Sequence, residues 1–207
     1  MSAAGLPERL LIACISLLFG AMVVAGASAQ NSGSDAVLDT LFRKLQETTD
    51  PLAARTLEQA IWEQWTMLPD ATQRGLMFEG IARMQGRDFA GATAAFDRLI
   101  AIAPDLPEGW NKRATVHWLR GDFHASLKDI CETVKREPRH FGAYSGLGMI
   151  RAEMGENGRA VAAFELARKH NPHIVGIAEE IERLKVLGGD ASSSDPLGCQ
   201  SHTAQRD

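Results

Sequence analysis

Three prolines, Pro104, Pro138 and Pro172, stand 34 residues apart, and they constrain this chain more than any other feature. A fixed spacing kept over about a hundred residues marks one supersecondary unit used several times, because each unit leaves an apolar face that only its neighbour can cover. The windows 73–106, 107–140 and 141–174 agree at further positions when overlaid. The fourth residues are Leu76, Trp110 and Tyr144, and the eighth are Gly80, Ala114 and Gly148. The seventeenth are Phe89, Phe123 and Asn157, the twentieth Ala92, Ser126 and Ala160, and the twenty-fourth Phe96, Ile130 and Phe164. Each proline is the thirty-second residue of its window.

Each window divides into two helical stretches. In the second they run over about 107–119 and about 123–136. Gly121 between them suits a left-handed stop to the first helix. Asp122 then caps the next one by accepting its free N–H groups. The proline sits where no helix should continue. Small side chains at the eighth and twentieth positions let the two helices approach, and large ones fill the space between units.

This pattern resembles the tetratricopeptide repeat family, which runs aromatic, Leu-Gly, Gly-Asp-aromatic, Ala, aromatic, Ala and Pro. The third window keeps Tyr144, Leu147, Gly148, Gly155, Ala160, Phe164, Ala167 and Pro172. The second keeps Trp110, Gly121-Asp122-Phe123 and Pro138 but has Arg113 where Leu is usual. The first departs most, with Leu76 for the aromatic, Glu79 for Leu, and Gly86-Arg87-Asp88-Phe89 at the turn. The resemblance covers the windows from 73 to 174 and implies an all-α, TPR-type α-solenoid of stacked helix-turn-helix hairpins.

The flanks are read around that array. Residues 35–72 form an amino-terminal helical cap or degenerate repeat, with helices near 35–47 and 51–67. Phe42, Leu45 and Trp62 sit there at repeat-like positions, while Gln46, Glu58 and Asp50-Pro51 break the pattern. Residues 175–187 read as an amphipathic capping helix with Val175, Ile177, Ile181 and Leu184 on one face. Residues 188–207 begin with a polar, turn-rich run and read as a disordered tail. At the other end, the apolar run Leu10–Ala25 precedes Ala27-Ser28-Ala29, a small-x-small cleavage site. Residues 1–29 therefore read as a secretory signal peptide, with 30–34 a flexible leader. The run is shorter than the about 20 residues a spanning helix needs, so no stable membrane span is expected after cleavage; an uncleaved anchor is the alternative. Export is expected, to a periplasm first and as a secreted or membrane-anchored protein otherwise.

Composition narrows the function classes. The formal charge is −4 and the pI is near 5.9, which offers no basic excess to neutralise phosphates, so nucleic acid is not an expected partner. Removing the signal peptide takes away Cys14 and leaves Cys131 and Cys199. One thiol in a repeat helix and one in a tail make no framework, and the expectation is two unpaired thiols, with a Cys131–Cys199 bridge as the alternative. His170 and His173 flank Pro172 and do not share a helix face, so they read as loop histidines and no metal is expected. Gly142 to Gly148 lacks the glycines and the strand-turn-helix setting of a nucleophile elbow around Ser145. Lys128, Asp129, Glu132, Lys135, Arg136 and Glu137 read as a solvated outer face. No cofactor is expected, and the chain reads as non-catalytic.

What remains is binding. The resemblance implies that the first helix of each repeat lines a concave groove where polypeptide segments dock. The corresponding residues are Met77, Phe78, Ile81 and Met84 in the first window. They are Asn111, Lys112, Thr115, Trp118 and Leu119 in the second, and Ser145, Met149, Ala152 and Glu153 in the third. Met suits adaptable surfaces and Trp118 is an anchor of the hot-spot kind. Of the positions that grip a terminal carboxylate in some relatives, only Lys112 carries a charge, so a partly apolar segment is the better fit. The expectation is a scaffold of the cell envelope that cradles a segment of another protein. The alternative is a self-associating structural protein, a homo-oligomer joined through Trp62 and Trp65.

Overall fold

The computed structural model describes residues 35–188 and 197–199. The signal peptide and leader read at 1–34 lie outside the described residues, as do 189–196 and 200–207 of the tail. The chain divides into two compact units, Met1–Leu41 and Phe42–Asp207. Of the first, only 35–41 are described, as the opening of a helix, α1, over 35–47.

The described residues of the second unit form helices and no strand. After the end of α1 come α2 (Pro51–Thr66), α3 (Ala71–Gln85), α4 (Phe89–Ile102), α5 (Pro107–Leu119), α6 (Phe123–Arg136), α7 (Phe141–Glu153), α8 (Asn157–His170) and α9 (Ile177–Val186). Local chemistry sets the helix starts. Asp50, Asp70, Asp88 and Asp122 cap α2, α3, α4 and α6, accepting from the N–H groups of Leu52, Gln73, Gly91 and Ala125. The turns inside the repeats share one left-handed residue at the fifteenth position. Gly121 and Gly155 hold φ of 76° and 75° there, while in the first repeat Arg87 holds 61°. The backbone demand is thus kept where the glycine has moved one place, to Gly86.

α3 with α4, α5 with α6, and α7 with α8 form three hairpins, and each stacks on the next. The eighth-position residues explain the close approach. A Cβ on Gly80 would fall 2.5 Å from the Phe96 ring, and one on Gly148 would fall 2.6 Å from Phe164. Val116 in α5 is fully buried against Phe96 and Leu99 of the preceding hairpin, and Ile150 in α7 likewise against Leu127 and Ile130. Burying such a side chain contributes about 1.5–3 kcal/mol.

Several expectations need correction. Cys131 and Cys199 form a disulfide. The tail is therefore anchored at 197–199: Leu197 packs on the core, and its carbonyl accepts from Arg151 Nη2 at 3.0 Å. The carboxy-terminal cap begins at Ile177, after Gly176 at φ 78°. Ile177, Ile181 and Leu184 are buried on α8, but Val175 precedes the helix and is 89% exposed. The charged face of α6 is only partly solvated. Asp129 is buried, because Arg113, in the place of the usual Leu, grips it with two bonds of 2.7 Å and reaches Asp97 in α4 at 2.6 Å. Glu137 is also buried, held by Arg139 at 2.9 Å. Arg139 and Arg136 in turn lie over the Phe42 and Trp110 rings.

Within the second unit, α2 packs on α5 and α7, and the end of α1 meets the end of α8 and the turn after it. Trp65 is buried. Trp62 meets His140 and Phe141 edge-on, and Phe42 meets Trp65 and Phe141. Gln46 Nε2 donates to the Lys169 carbonyl, and His173 Nε2 sits 3.0 Å from the Leu45 carbonyl. Of the two tryptophans expected to join two copies, Trp65 is buried within the chain and Trp62 is half-buried.

Candidate functional site

The first helices of the second and third repeats, α5 and α7, build the candidate site, and their two ends differ. Their first turns are filled from within. Glu108 and His140 are fully buried and lie 2.9 Å apart, Oε2 to Nε2. The Ala143 N–H donates to His140 Nδ1 and so caps α7. That leaves the ring proton on Nε2, from where it is donated to Glu108. Asn111 Nδ2 donates to the same oxygen at 3.0 Å, and the Lys112 ammonium stands 2.8 Å from Oε1. Burial pushes the Glu108 carboxyl up, but the His140 hydrogen bond and the Lys112 charge prevail and hold it below the usual glutamate value. Trp62 closes the top, its ring 5.2 Å from Lys112 Nζ and packed on Gly142. Lys112 is consumed by these contacts.

Beyond that plug, α5 and α7 leave a pocket of about 190 Å³. Trp118, Thr115 and Asn111 line one side, Met149, Ser145, Gly146 and Gly142 the other, with Ala114, Ser126, Ile130, Ala143 and Ile150 forming the remainder. The polar side chains on the wall are largely self-satisfied. Thr115 and Ser145 hydroxyls donate to the carbonyls of Asn111 and Phe141, one turn back. Trp118 Nε1 donates to Glu153 Oε1 at 3.2 Å, which pins the indole across the two repeats. Met149 is 40% exposed at the rim.

Of the residues expected to line a groove, the pocket therefore brings together Asn111, Thr115, Trp118, Ser145 and Met149, with Glu153 bonded to Trp118. Lys112 is in the plug. Leu119 is exposed at the end of α5 and does not line the pocket. The first repeat contributes nothing to it. Met77 is fully buried with Leu68, Leu76 and Phe96, which corrects its assignment to the groove, and Ile81 and Met84 are half-buried against the same cluster. Phe78 is exposed. Ile130 and Ile150 line the pocket without having been expected from the sequence, and Gly142 and Gly146 stand at positions that face a bound peptide in tetratricopeptide domains. The spacing of Gly142 and Gly146, four apart on one helix face opposite Trp118, was the available signal.

Among the described residues no group of three or more His, Cys, Asp or Glu side chains could hold a metal ion. His170 stacks on Tyr144, with centroids 5.8 Å apart, and its burial holds the ring below the usual histidine value.

No family model matches the chain. It is similar to a TPR repeat-containing protein of Rhizobium etli, 34% identical over 128 residues, which is 62% of this chain and 63% of that one. The chain thus spans less than two thirds of that relative. Its fold is similar to the Sgt2 TPR domain of Aspergillus fumigatus, with a TM-score of 0.54 at 22% identity over 59% of this chain and 82% of that one. It is likewise similar to the first TPR domain of Spaghetti bound to an HSP90 peptide, with a TM-score of 0.54 at 17% identity over 57% and 94% of the two chains. The chain thus shares the all-α solenoid fold of these tetratricopeptide repeat domains.

Proposed function

We propose that the chain is a non-catalytic adaptor of the cell envelope, and that its pocket between α5 and α7 takes one apolar side chain from an extended segment of another protein. The observation that carries this reading is the pocket itself. At about 190 Å³ it is smaller than the about 300–1,000 Å³ of sites for free small ligands. It suits a single aliphatic or aromatic side chain, and its walls are mostly apolar. Glu153, exposed beside Trp118, favours a lysine or arginine next to that side chain in the guest. The similar Spaghetti domain holds a peptide of HSP90; here the internal use of Lys112 turns the preference from acidic ends towards apolar segments.

The envelope part of the proposal draws on two supports. The apolar run Leu10–Ala25 with Ala27-Ser28-Ala29 has the layout of an export signal. The Cys131–Cys199 disulfide suits an oxidising compartment.

The test is an array of extended peptides with Leu, Phe, Ala or Asp at a central position and Lys or Glu beside it. The Leu and Phe peptides flanked by Lys should bind, and Trp118→Ala should weaken them by about thirtyfold or more, as at a hot spot. Equal binding of the Asp peptides, or no effect of Trp118→Ala, would overturn the reading. Intact-mass measurement of the protein recovered from the native envelope tests export, since the processed chain should begin at Gln30.

A further inference from the structure

We propose that the Cys131–Cys199 bond is a reducible brace across the seam between the second and third repeats, and that, on the reading that the pocket between α5 and α7 holds a guest side chain, its redox state regulates the grip of that pocket. The brace has two feet. Cys131 stands on α6 of the second repeat, one place after Ile130, which lines the pocket. Arg151 stands on α7 of the third repeat, one place after Ile150, which lines it too. Consecutive residues on a helix point about 100° apart, so neither foot lines the pocket while its neighbour does. Residues 197–199 join the two feet from outside. Cys199 is bonded to Cys131, and the Leu197 carbonyl accepts from Arg151 Nη2 at 3.0 Å.

The strap fits α7 closely, but the covalent bond is what keeps it there. Gly198 is buried at φ 63°, and a Cβ on it would run into the Arg151 guanidinium. Leu197 packs on the core cluster that includes Leu147 and Ile150. Arg151 is 4% exposed, and its Nη1 meets Glu156 at 2.7 Å. Its Nε is buried with no partner among the described residues. The covered guanidinium is thus incompletely satisfied, and hydration favours its release. One hydrogen bond and a half-buried leucine do not offset the entropy of ordering the segment. Both cysteines are part-exposed, so the bridge is open to thiol exchange. A thiolate of a dithiol reductant attacks one sulfur, forming a mixed disulfide and freeing the other cysteine as a thiol. The second thiol of the reductant then frees the remaining cysteine and closes the reductant's own disulfide. Two electrons and two protons pass to Cys131 and Cys199. Without the strap, α6 and α7 are held together by side-chain packing. A guest must then order the α7 wall as it binds, and its affinity falls.

Hydrogen exchange and peptide titration on the purified oxidised chain, before and after treatment with dithiothreitol, test this. Reduction should speed exchange in α7 more than in α3, and should weaken the Lys-flanked Leu peptide by about fivefold or more. The double variant Cys131→Ser, Cys199→Ser should match the reduced chain and ignore the dithiol. Equal acceleration of α3 and α7, or none in α7, would overturn the brace. So would equal peptide affinity in the two redox states, or a response to dithiol in the double variant. Faster exchange in α7 with no peptide bound by either form would support the brace and overturn the guest reading instead.

Discussion

The Trp65 indole lies flat on the His140 imidazole, with centroids 4.0 Å apart and planes 9° from parallel. His140 meets Glu108 through Nε2 and the Ala143 N–H through Nδ1, so α2 is fastened to the repeats through one buried ring that also caps α7.

Glu108 makes the attachment sensitive to acid. Its carboxyl is held below the ordinary value of 4.5 in the folded chain. A depressed carboxyl stabilises the fold above its unfolded pKa, and that stability is lost as pH falls through the folded value. The urea midpoint of the wild type should therefore fall as pH drops below about 4.5, in the usual glutamate range. Glu108→Gln should be less stable at neutral pH and should show a flatter dependence over that acid window. Parallel curves for the two proteins would refute the assignment.

Arg113 stands where the tetratricopeptide pattern has Leu, and a Leu there should harm this chain. Arg113→Leu leaves the buried charge of Asp129, 2% exposed, with only the His117 ring, 3.7 Å away, beside it. Breaking a buried pair from one side costs about 3–5 kcal/mol. Arg113→Leu combined with Asp129→Leu should recover much of the loss, because the apolar pair needs no compensation. A urea-denaturation double-mutant cycle reads the coupling directly, and additive losses would count against it.

That pair also shows what the sequence made legible. The 34-residue register gave the helices because it depends on local signals: an aspartate cap, a left-handed residue at the turn, a proline at the exit. Arg113 stood out as a departure from the same register. Its partner did not, since Asp129 lies among Lys128, Glu132 and Lys135, and only packing separates a buried acid from its solvated neighbours. The same holds at the site. Trp118 and Met149 were legible from helix position, whereas the plug over Glu108 was not. That plug requires Trp65 to find His140 seventy-five positions later in the chain, and no local pattern encodes so long a contact. The disulfide is equally non-local, joining residues separated by 68 positions.

Loss of the disulfide should be expensive for that reason. Closing a loop of that length restricts the unfolded chain by about 4 kcal/mol in the chain-entropy account. Cys199→Ser should lower stability by up to about that amount. It should also expose the otherwise buried Arg151, whose guanidinium now meets the Leu197 carbonyl and Glu156. Urea unfolding of the oxidised wild type against the variant measures the first effect. Wild type under reducing agent should match the variant, and a reductant-insensitive midpoint would show that the bond contributes nothing.

Gly146 offers the sharpest separation of pocket from scaffold. A Cβ there would meet only Ile130 Cδ1, at an ordinary 3.8 Å, so the side chain of Gly146→Leu would grow into the pocket without displacing the backbone. Leu is also a better helix former than Gly by up to about 1 kcal/mol. The variant should thus be at least as stable as wild type, yet lose binding of the apolar peptides, since its own leucine occupies their place. Gly148→Leu is the contrast. It would drive into the Phe164 ring, where a Cβ already falls at 2.6 Å, and overpacking of this kind costs about 1–3 kcal/mol. Thermal melts and peptide titrations on the two variants should therefore diverge: Gly146→Leu stable and blind to the guest, Gly148→Leu destabilised through the hairpin itself. Full peptide affinity in Gly146→Leu would show that the guest docks elsewhere on the array.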